Sequence, residues 1–365
     1  MTQTAIRLKN LRAAMAETGT DLVVLGPGAH MHWLLGFHPH GDERPCLLMI
    51  GREHEVFLMP ALNAQGTRAE TDIAFCEWAD ENGPDAALKQ ALNRIGAKGA
   101  VKVVLDETMR ADFALLVLGA LPGARHDFTL DTVGALRMRK DAGEYAKLKE
   151  NALIDDRAMQ AGLAALKPGV SELEIADVIR AEFGKHGAKP EFTIVGSGPN
   201  GAFPHHATGN RKLQAGDAVV IDIGGRKDGF PSDMTRMAVI GHAPEGYDEV
   251  HAIVERAVSA ALAAARPGVK AMDVDAAARN VIAGAGYGEY FVHRLGHGLG
   301  IEVHEPPYLT STSQSVLDEG MVFSIEPGIY LPGRFGLRLE DIVILRADGP
   351  EILSSLPRDL HVAPA

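Results

Sequence analysis

The chain is 365 residues long and has little cysteine, tryptophan or aromatic content: two Cys, two Trp and 5% aromatics. Two thiols, Cys46 and Cys76, both in apolar contexts, are too few for a disulfide framework and read as free buried thiols of a reducing compartment. Basic runs are missing, and a net charge of −12 argues against a nucleic-acid partner. Long apolar runs are missing too. The stretch 113–121 is too short to span a bilayer, and Arg7, Lys9, Arg12 and Glu17 interrupt the opening segment where a secretory leader would need continuous apolar chain. No linker or low-complexity segment interrupts the sequence. These absences set the expectation of a cytoplasmic protein that engages neither membrane nor nucleic acid. The 46% of hydrophobic residues suffices for two domains or one large one.

Residues 216–235, GDAVVIDIGGRKDGFPSDMT, place two carboxylates, Asp222 and Asp233, in an otherwise apolar hairpin. Strands are predicted over 218–223 and through 237–240, and a turn centred between Lys227 and Asp228 would put Asp222 opposite Asp233. Like charges facing each other in a low-dielectric core require a cation between them or a retained proton. The pair reads as half of a metal site. The other half lies in residues 320–345, where the spacing from Gly216 to Asp222 recurs from Gly320 to Glu326, and a turn centred on Gly333 places Glu326 opposite Glu340. Lys-Pro-Gly-Val at 167–170 returns as Arg-Pro-Gly-Val at 266–269, each followed by an amphipathic stretch. Before the second copy, Val250, Ile253, Val254, Ala257, Val258, Ala261 and Leu262 recur at helical spacing. Two copies imply duplicated halves of one domain, since a solenoid needs three or more units.

The N-terminal part alternates between helix and strand patterns, with helices over 6–17, 84–95 and 111–118 and strands over 22–25, 45–50, 55–59 and 101–105. Its loop His38-Pro39-His40-Gly41-Asp42-Glu43-Arg44 reads as a solvated turn that caps an active site rather than as a metal site. A boundary falls near 136–141, followed by a charged helix over 144–166, so residues 137–365 should fold as a second unit.

Between the two hairpins stands FVHRLGHGLG at 291–300, followed by Val303-His304-Glu305-Pro306-Pro307. Glycine on both sides of His297 lets backbone or substrate come close. His293, His297 and His304, together with His205-His206 in the matching loop of the first half, are too many for isolated structural histidines and point to function.

With IDIGG, SDMTR, HRLGHGLGIEVHE, SIEPGIY and LRLED, the chain resembles the pita-bread metallopeptidases of the prolidase and aminopeptidase P branch, over its whole length. The resemblance implies an α/β creatinase-like N-terminal domain, 1–132, and an α+β pita-bread catalytic domain, 137–365, with an internal pseudo-two-fold duplication. It implies two divalent metal ions per subunit, Mn²⁺ foremost with Co²⁺, Zn²⁺ or Fe²⁺ as alternatives. Asp222 would hold one ion, His297 and Glu326 the other, and Asp233 and Glu340 both. Four carboxylates offset the charge of two such ions, and a set rich in oxygen with one imidazole suits these metals. A water or hydroxide shared between them is a nucleophile at neutral pH, with Glu326 as its proton acceptor.

His205 would hold the scissile peptide or the tetrahedral intermediate, and His304 the developing oxyanion or the carbonyl. His293 would contact substrate, while His206 receives no role. Arg338 would pair with a ligand carboxylate at the substrate site or else lie on a surface edge strand. The implied activity is hydrolysis of the Xaa-Pro bond in dipeptides or short peptides with a free amino terminus, by a homodimer. The alternatives are a hydrolase or lyase of a small non-peptide metabolite and a non-catalytic binding module. Retention of all five ligands speaks against the latter and against the metal-free creatinase-like variant.

Overall fold

A computed structural model describes residues 2–365, which divide into two compact units, one ending at Arg137 and one spanning Met138–Ala365. The first unit is built on a six-stranded sheet. Its strands are β1 Leu22–Leu25, β2 Leu47–Gly51, β3 Glu55–Pro60, β4 Phe75–Trp78, β5 Lys102–Leu105 and β6 Arg125–Phe128, in the order β4-β3-β2-β1-β5-β6. The sheet is mixed: β1 pairs antiparallel with β2 and parallel with β5. Helices α1 Gln3–Thr18, α2 Ala29–Leu35, α3 Ala61–Arg68, α4 Asp85–Arg94, α5 Ala111–Ala120 and α6 Val133–Met138 alternate with the strands. Thr2 caps α1 at its start, and Gly19 ends it in the left-handed conformation. Leu22, Val24, Met49 and Leu58 of the sheet meet Leu88, Leu92, Phe113 and Val117 of α4 and α5 in one core. The helix and strand patterns of the sequence are present here, while α2, α3, β4 and β6 had no clear periodicity to announce them. Cys46 and Cys76 are buried free thiols.

The second unit opens with α7 Ala142–Ala164 and α8 Glu172–Lys185, each started by a capping box, Asp141 with Glu144 and Ser171 with Glu174. There follow β7 Lys189–Ser197, β8 Ala218–Lys227, β9 Phe230–Pro231 and β10 Met234–Ile240, then α9 Tyr247–Ala264 and α10 Ala271–Gly284. The last strands are β11 Gly296–Gly298, β12 Glu305–Leu309, β13 Val322–Ile325, β14 Gly328–Leu331, β15 Phe335–Arg338, β16 Asp341–Arg346, β17 Gly349–Ile352 and β18 His361–Ala363. They form two five-stranded sheets, one of β18-β10-β8-β7 with β9 on β8 and one of β12-β11-β13-β16-β17, plus the β14-β15 ribbon.

Matching backbone bonds in the two halves bear out the duplication. Gly169 N donates to Leu213 O at 2.9 Å and Gly268 N to Leu317 O at 2.8 Å, while Gly216 N to Ile240 O and Gly320 N to Leu345 O are both 2.8 Å. All four glycines have φ between 83° and 87°, which explains why the repeated motifs keep glycine there.

One register expectation needs correction. The first hairpin turns at Asp228 and Gly229, with φ of 51° and 84°, the pattern of a two-residue turn with both central residues left-handed. The ladder is therefore displaced from the sequence-based register: Asp222 faces Thr235, and Asp233 lies in the gap between β9 and β10. The second hairpin keeps its expected register, with Gly328 opposite Arg338 and Ile325 opposite Asp341. Glu326 and Glu340 sit opposite each other in the break between those two ladders. Pro327, which has no N–H to donate, helps to end the pairing there.

Candidate metal centre

Three separate chain segments, the two hairpins and the strand β11, bring their acids and imidazole to one place. Asp222 comes from the middle of β8, Asp233 from the gap before β10, His297 from β11, and Glu326 and Glu340 from the paired breaks of the second hairpin. The glycines around His297 serve close packing of backbone. A Cβ on Gly296 would lie 2.0 Å from Ser324 O and one on Gly298 2.3 Å from Pro306 O, so side chains there would force the neighbouring strands away.

The ligand-type atoms of Asp222, Asp233 and Glu340 lie within 4.8 Å of one another, and so do those of His297, Glu326 and Glu340. His297 Nε2 is 3.3 Å from Glu326 Oε1 and 3.5 Å from Asp233 Oδ2. Its Nδ1 meets Gly298 O at 3.1 Å and must be the protonated nitrogen, which leaves the Nε2 lone pair aimed at the acids. His304 packs edge-on against His297 with centroids 4.1 Å apart, and it shares a ligand-type cluster with His297 and Asp233.

Burial dominates the electrostatics. It pushes the carboxyls of Asp233 and Glu340 well above the usual range, reinforced by the other acids around each. Glu326 is pushed up to about 7, first by burial and against the opposing pull of Arg338. Burial, and then His304, holds His297 down at about 3, so its imidazole is neutral at any ordinary pH. A neutral imidazole aimed at crowded carboxylates is an arrangement that a cation completes. Glu340 Oε1 points the same way, since it is buried with no hydrogen-bond partner. Carboxylate oxygens with one imidazole nitrogen fit a divalent ion of the manganese-to-zinc series.

Of the surrounding polar shell the sequence points to Arg338 as a carboxylate partner, but not to Thr235 or Tyr330. Thr235 Oγ1 lies 2.7 Å from Glu340 Oε2 and 3.1 Å from Asp222 Oδ1, and it accepts from Arg338 Nε at 3.0 Å. With one proton to give, the hydroxyl serves the nearer Glu340. Arg338 is buried, which removes the surface edge-strand alternative. Its Nη2 donates to Asp222 Oδ2 at 2.6 Å and its Nη1 to Tyr330 OH at 2.8 Å and Pro204 O at 3.4 Å. Tyr330 OH, already an acceptor from Arg338, then donates to His293 Nε2 at 2.9 Å, while His293 Nδ1 donates to Arg294 O at 2.7 Å. Both nitrogens of His293 are thus engaged within the protein, and the ring offers substrate only its face and carbon edge. Thr235 and Tyr330 stood inside SDMTR and SIEPGIY, but nothing local in those motifs shows which distant groups they meet.

The five ligand-type residues, with His293 and Arg338, line a cavity of about 950 Å³, whose apolar wall includes Phe192, Ile194, Phe203, Val292 and Val303 and which also carries His205 and His304, both exposed. A second acid and histidine cluster, His30 with Asp106 and Glu107, lies in the first unit. It does not fit a metal. Arg137 donates to His30 Nδ1 at 3.0 Å, so Nε2 carries the proton and is spent on Thr129 and Glu107. In the loop 38–44, Arg44 pairs with Asp42, Glu43 and Asp80, in keeping with a polar turn.

Comparison with known proteins agrees with this geometry. The family described as Metallopeptidase family M24 matches residues 146–347, and the Creatinase/Prolidase N-terminal domain matches residues 7–138. The probable dipeptidase PepE of Mycobacterium tuberculosis is 39% identical over 99% of this chain and 96% of its own length. The Xaa-Pro dipeptidase of Pyrococcus horikoshii is 39% identical over 97% of this chain and 98% of its own. The crystal structure of dipeptidase PepE from Mycobacterium ulcerans superposes with a TM-score of 0.94 at 37% identity, covering 100% of this chain and 98% of that one.

Proposed function

The chain belongs to metallopeptidase family M24 and carries the creatinase/prolidase N-terminal domain, and from that premise we propose that it hydrolyses the Xaa-Pro bond of dipeptides or short peptides with a free amino terminus. That it is a metallopeptidase follows from the family. The proline preference draws support from the Xaa-Pro dipeptidase among its relatives and from the apolar wall beside the acids. An Xaa-Pro bond is a tertiary amide without an N–H, so a site that selects it recognises the ring by apolar contact.

In this reading Asp222 would hold one divalent ion, His297 and Glu326 a second, and Asp233 and Glu340 would serve both, in a homodimeric enzyme for which manganese is the first choice. When bound, the two ions supply a water of lowered pKa and polarise the carbonyl. Ser324 Oγ donates to Glu326 Oε1 at 3.0 Å, which leaves Oε2 to take the proton from the attacking water. His304 and His205 on the rim donate to the carbonyl oxygen and the peptide. Arg338 and Thr235 hold Asp222 and Glu340 in place.

The observation that carries the proposal is the convergence of five ligand-type side chains, with Glu340 Oε1 bare, at the base of one apolar-walled cavity. The test is a panel of X-Pro dipeptides, X-Pro-Y peptides, X-Ala peptides and small amides on metal-reconstituted enzyme. Selective turnover of the proline peptides is expected. Equal turnover of X-Ala and X-Pro would overturn the proline selectivity, and hydrolysis of a small amide alone would favour a metabolite hydrolase.

A further inference from the structure

The loop bearing His205 is fastened from behind by a glutamate that the proposed chemistry does not use. Glu172, the first residue of α8, is fully buried. Its Oε1 accepts from Ser197 N at 2.8 Å, Ser197 Oγ at 2.7 Å and Asn200 Nδ2 at 3.0 Å. Its Oε2 lies 2.9 Å from His206 Nε2 and accepts from Gly209 N at 3.3 Å. One carboxylate thus gathers five contacts spread across residues 197–209, on both sides of His205. Because an ionised carboxylate only accepts, His206 Nε2 is the protonated nitrogen.

The far side of the loop is held by different partners. Pro204 O accepts from Arg338, and Gly201 packs so closely on Gly336 that a Cβ on Gly336 would lie 1.9 Å from Gly201 O. His205 itself is the exposed residue between these restraints. The duplicated half contains no counterpart: the equivalent bridges Ser171 to Lys212 and Lys270 to Val316 align Glu172 with Ala271. There the segment carrying His304 is secured instead by the buried pair of Lys140 Nζ and Glu305 Oε1, 2.7 Å apart. A glutamate retained in one half only, and aimed wholly at one loop, serves that loop.

We propose that Glu172 is a positioning residue for His205, acting through Ser197, Asn200 and His206 to fix the loop from which His205 meets the peptide. The proposal rests on the reading of His205 as a substrate contact. Misplacing a group of this kind lowers turnover more than binding, whereas a purely structural anchor would change stability alone.

The experiment uses full-length metal-loaded enzyme carrying Glu172→Gln, His206→Leu, His206→Gln, His205→Ala or Glu172→Gln with His205→Ala. It reads kcat, KM, bound metal and melting temperature. Glu172→Gln and His206→Leu should lower kcat roughly tenfold or more, with bound metal unchanged and KM within about twofold. His206→Gln, whose amide still donates to Glu172, should keep most of the activity. In the His205→Ala background, Glu172→Gln should have no further effect on kcat.

Multiplying losses in the double variant, or wild-type kcat in His206→Leu, would overturn the proposal. If Glu172→Gln fails to fold by circular dichroism, the two His206 variants decide the matter in the same way. Wild-type turnover in His205→Ala alone would instead remove the reading of His205 on which the proposal stands, and that outcome is read from the single variant.

Discussion

Glu340 Oε1 has no partner while Oε2 lies against Thr235, and Arg338 in turn donates to Thr235 and to Asp222. Thr235→Val should therefore weaken metal binding by roughly 10–100-fold, the usual scale for losing a group that orients a ligand, measured by metal titration of the stripped protein. Asp233→Ala or Glu340→Ala should lose both ions, read by elemental analysis, because each would remove a bridge between them. His304→Ala should retain its metal and lose kcat by roughly 10²–10³-fold, as for one oxyanion donor. Metal loss in that variant would instead make His304, which shares a ligand-type cluster with His297 and Asp233, a ligand.

The stripped protein should also show a pH-dependent stability with a defined sign. His297 and His293 are held at about 3 against an ordinary 6.5, so their contribution rises with pH up to about 6.5 and is flat above it. Glu326 sits at about 7 against 4.5, and Asp233 and Glu340 are also raised; these acids bind more protons folded than unfolded, and their contribution is lost as pH rises through their folded values. Above about 6.5 only the carboxyl effect remains. The melting temperature of the metal-free protein should fall between neutral and mildly alkaline pH, and bound ions should abolish that fall.

At the scale of elements, the two hairpins hold the acids and tight glycine contacts hold the hairpins. Gly336→Ala would set a Cβ 1.9 Å from Gly201 O, backbone against backbone, and should destabilise by about 1–3 kcal/mol or more in denaturant unfolding. Gly284→Ala, exposed in α10 with nothing within 4 Å of the new carbon, should be neutral or stabilising by about 0.5–1 kcal/mol. The helices α1, α4, α7 and α9 were legible because apolar residues recur along one side of each, and α5 because it is a short apolar run. β6 was not, since its residues are all exposed, and neither was β7, which begins with three exposed residues. The first hairpin departs from its sequence-based register because its turn sits at Asp228-Gly229, one position later than the Lys227-Asp228 centre, and that shift gives Asp222 a different cross-strand partner.

For the whole molecule, the homodimer carried over from the family resemblance predicts a light-scattering mass near twice that of the chain at micromolar concentration. A mass near 38.9 kDa would count against it. The substrate panel belongs to this scale as well, since the peptide meets the acids, the rim histidines and the apolar wall together.

The sequence by itself determined the repeat, those helices and strands that carry a clear apolar pattern, and which acids and histidines are candidates, because glycine turns, apolar periodicity and motif spacing are local properties. It also determined the register of the second hairpin, whose turn is marked by Gly333. The tertiary structure alone decided that Asp222 faces Thr235, that Arg338 is buried against Asp222, that Tyr330 meets His293, and that Glu172 holds the loop of His205. Each of these is a contact between side chains from different parts of the fold. The direction of a hydrogen bond and the burial of a charge depend on where those parts come to rest, and no local pattern records it.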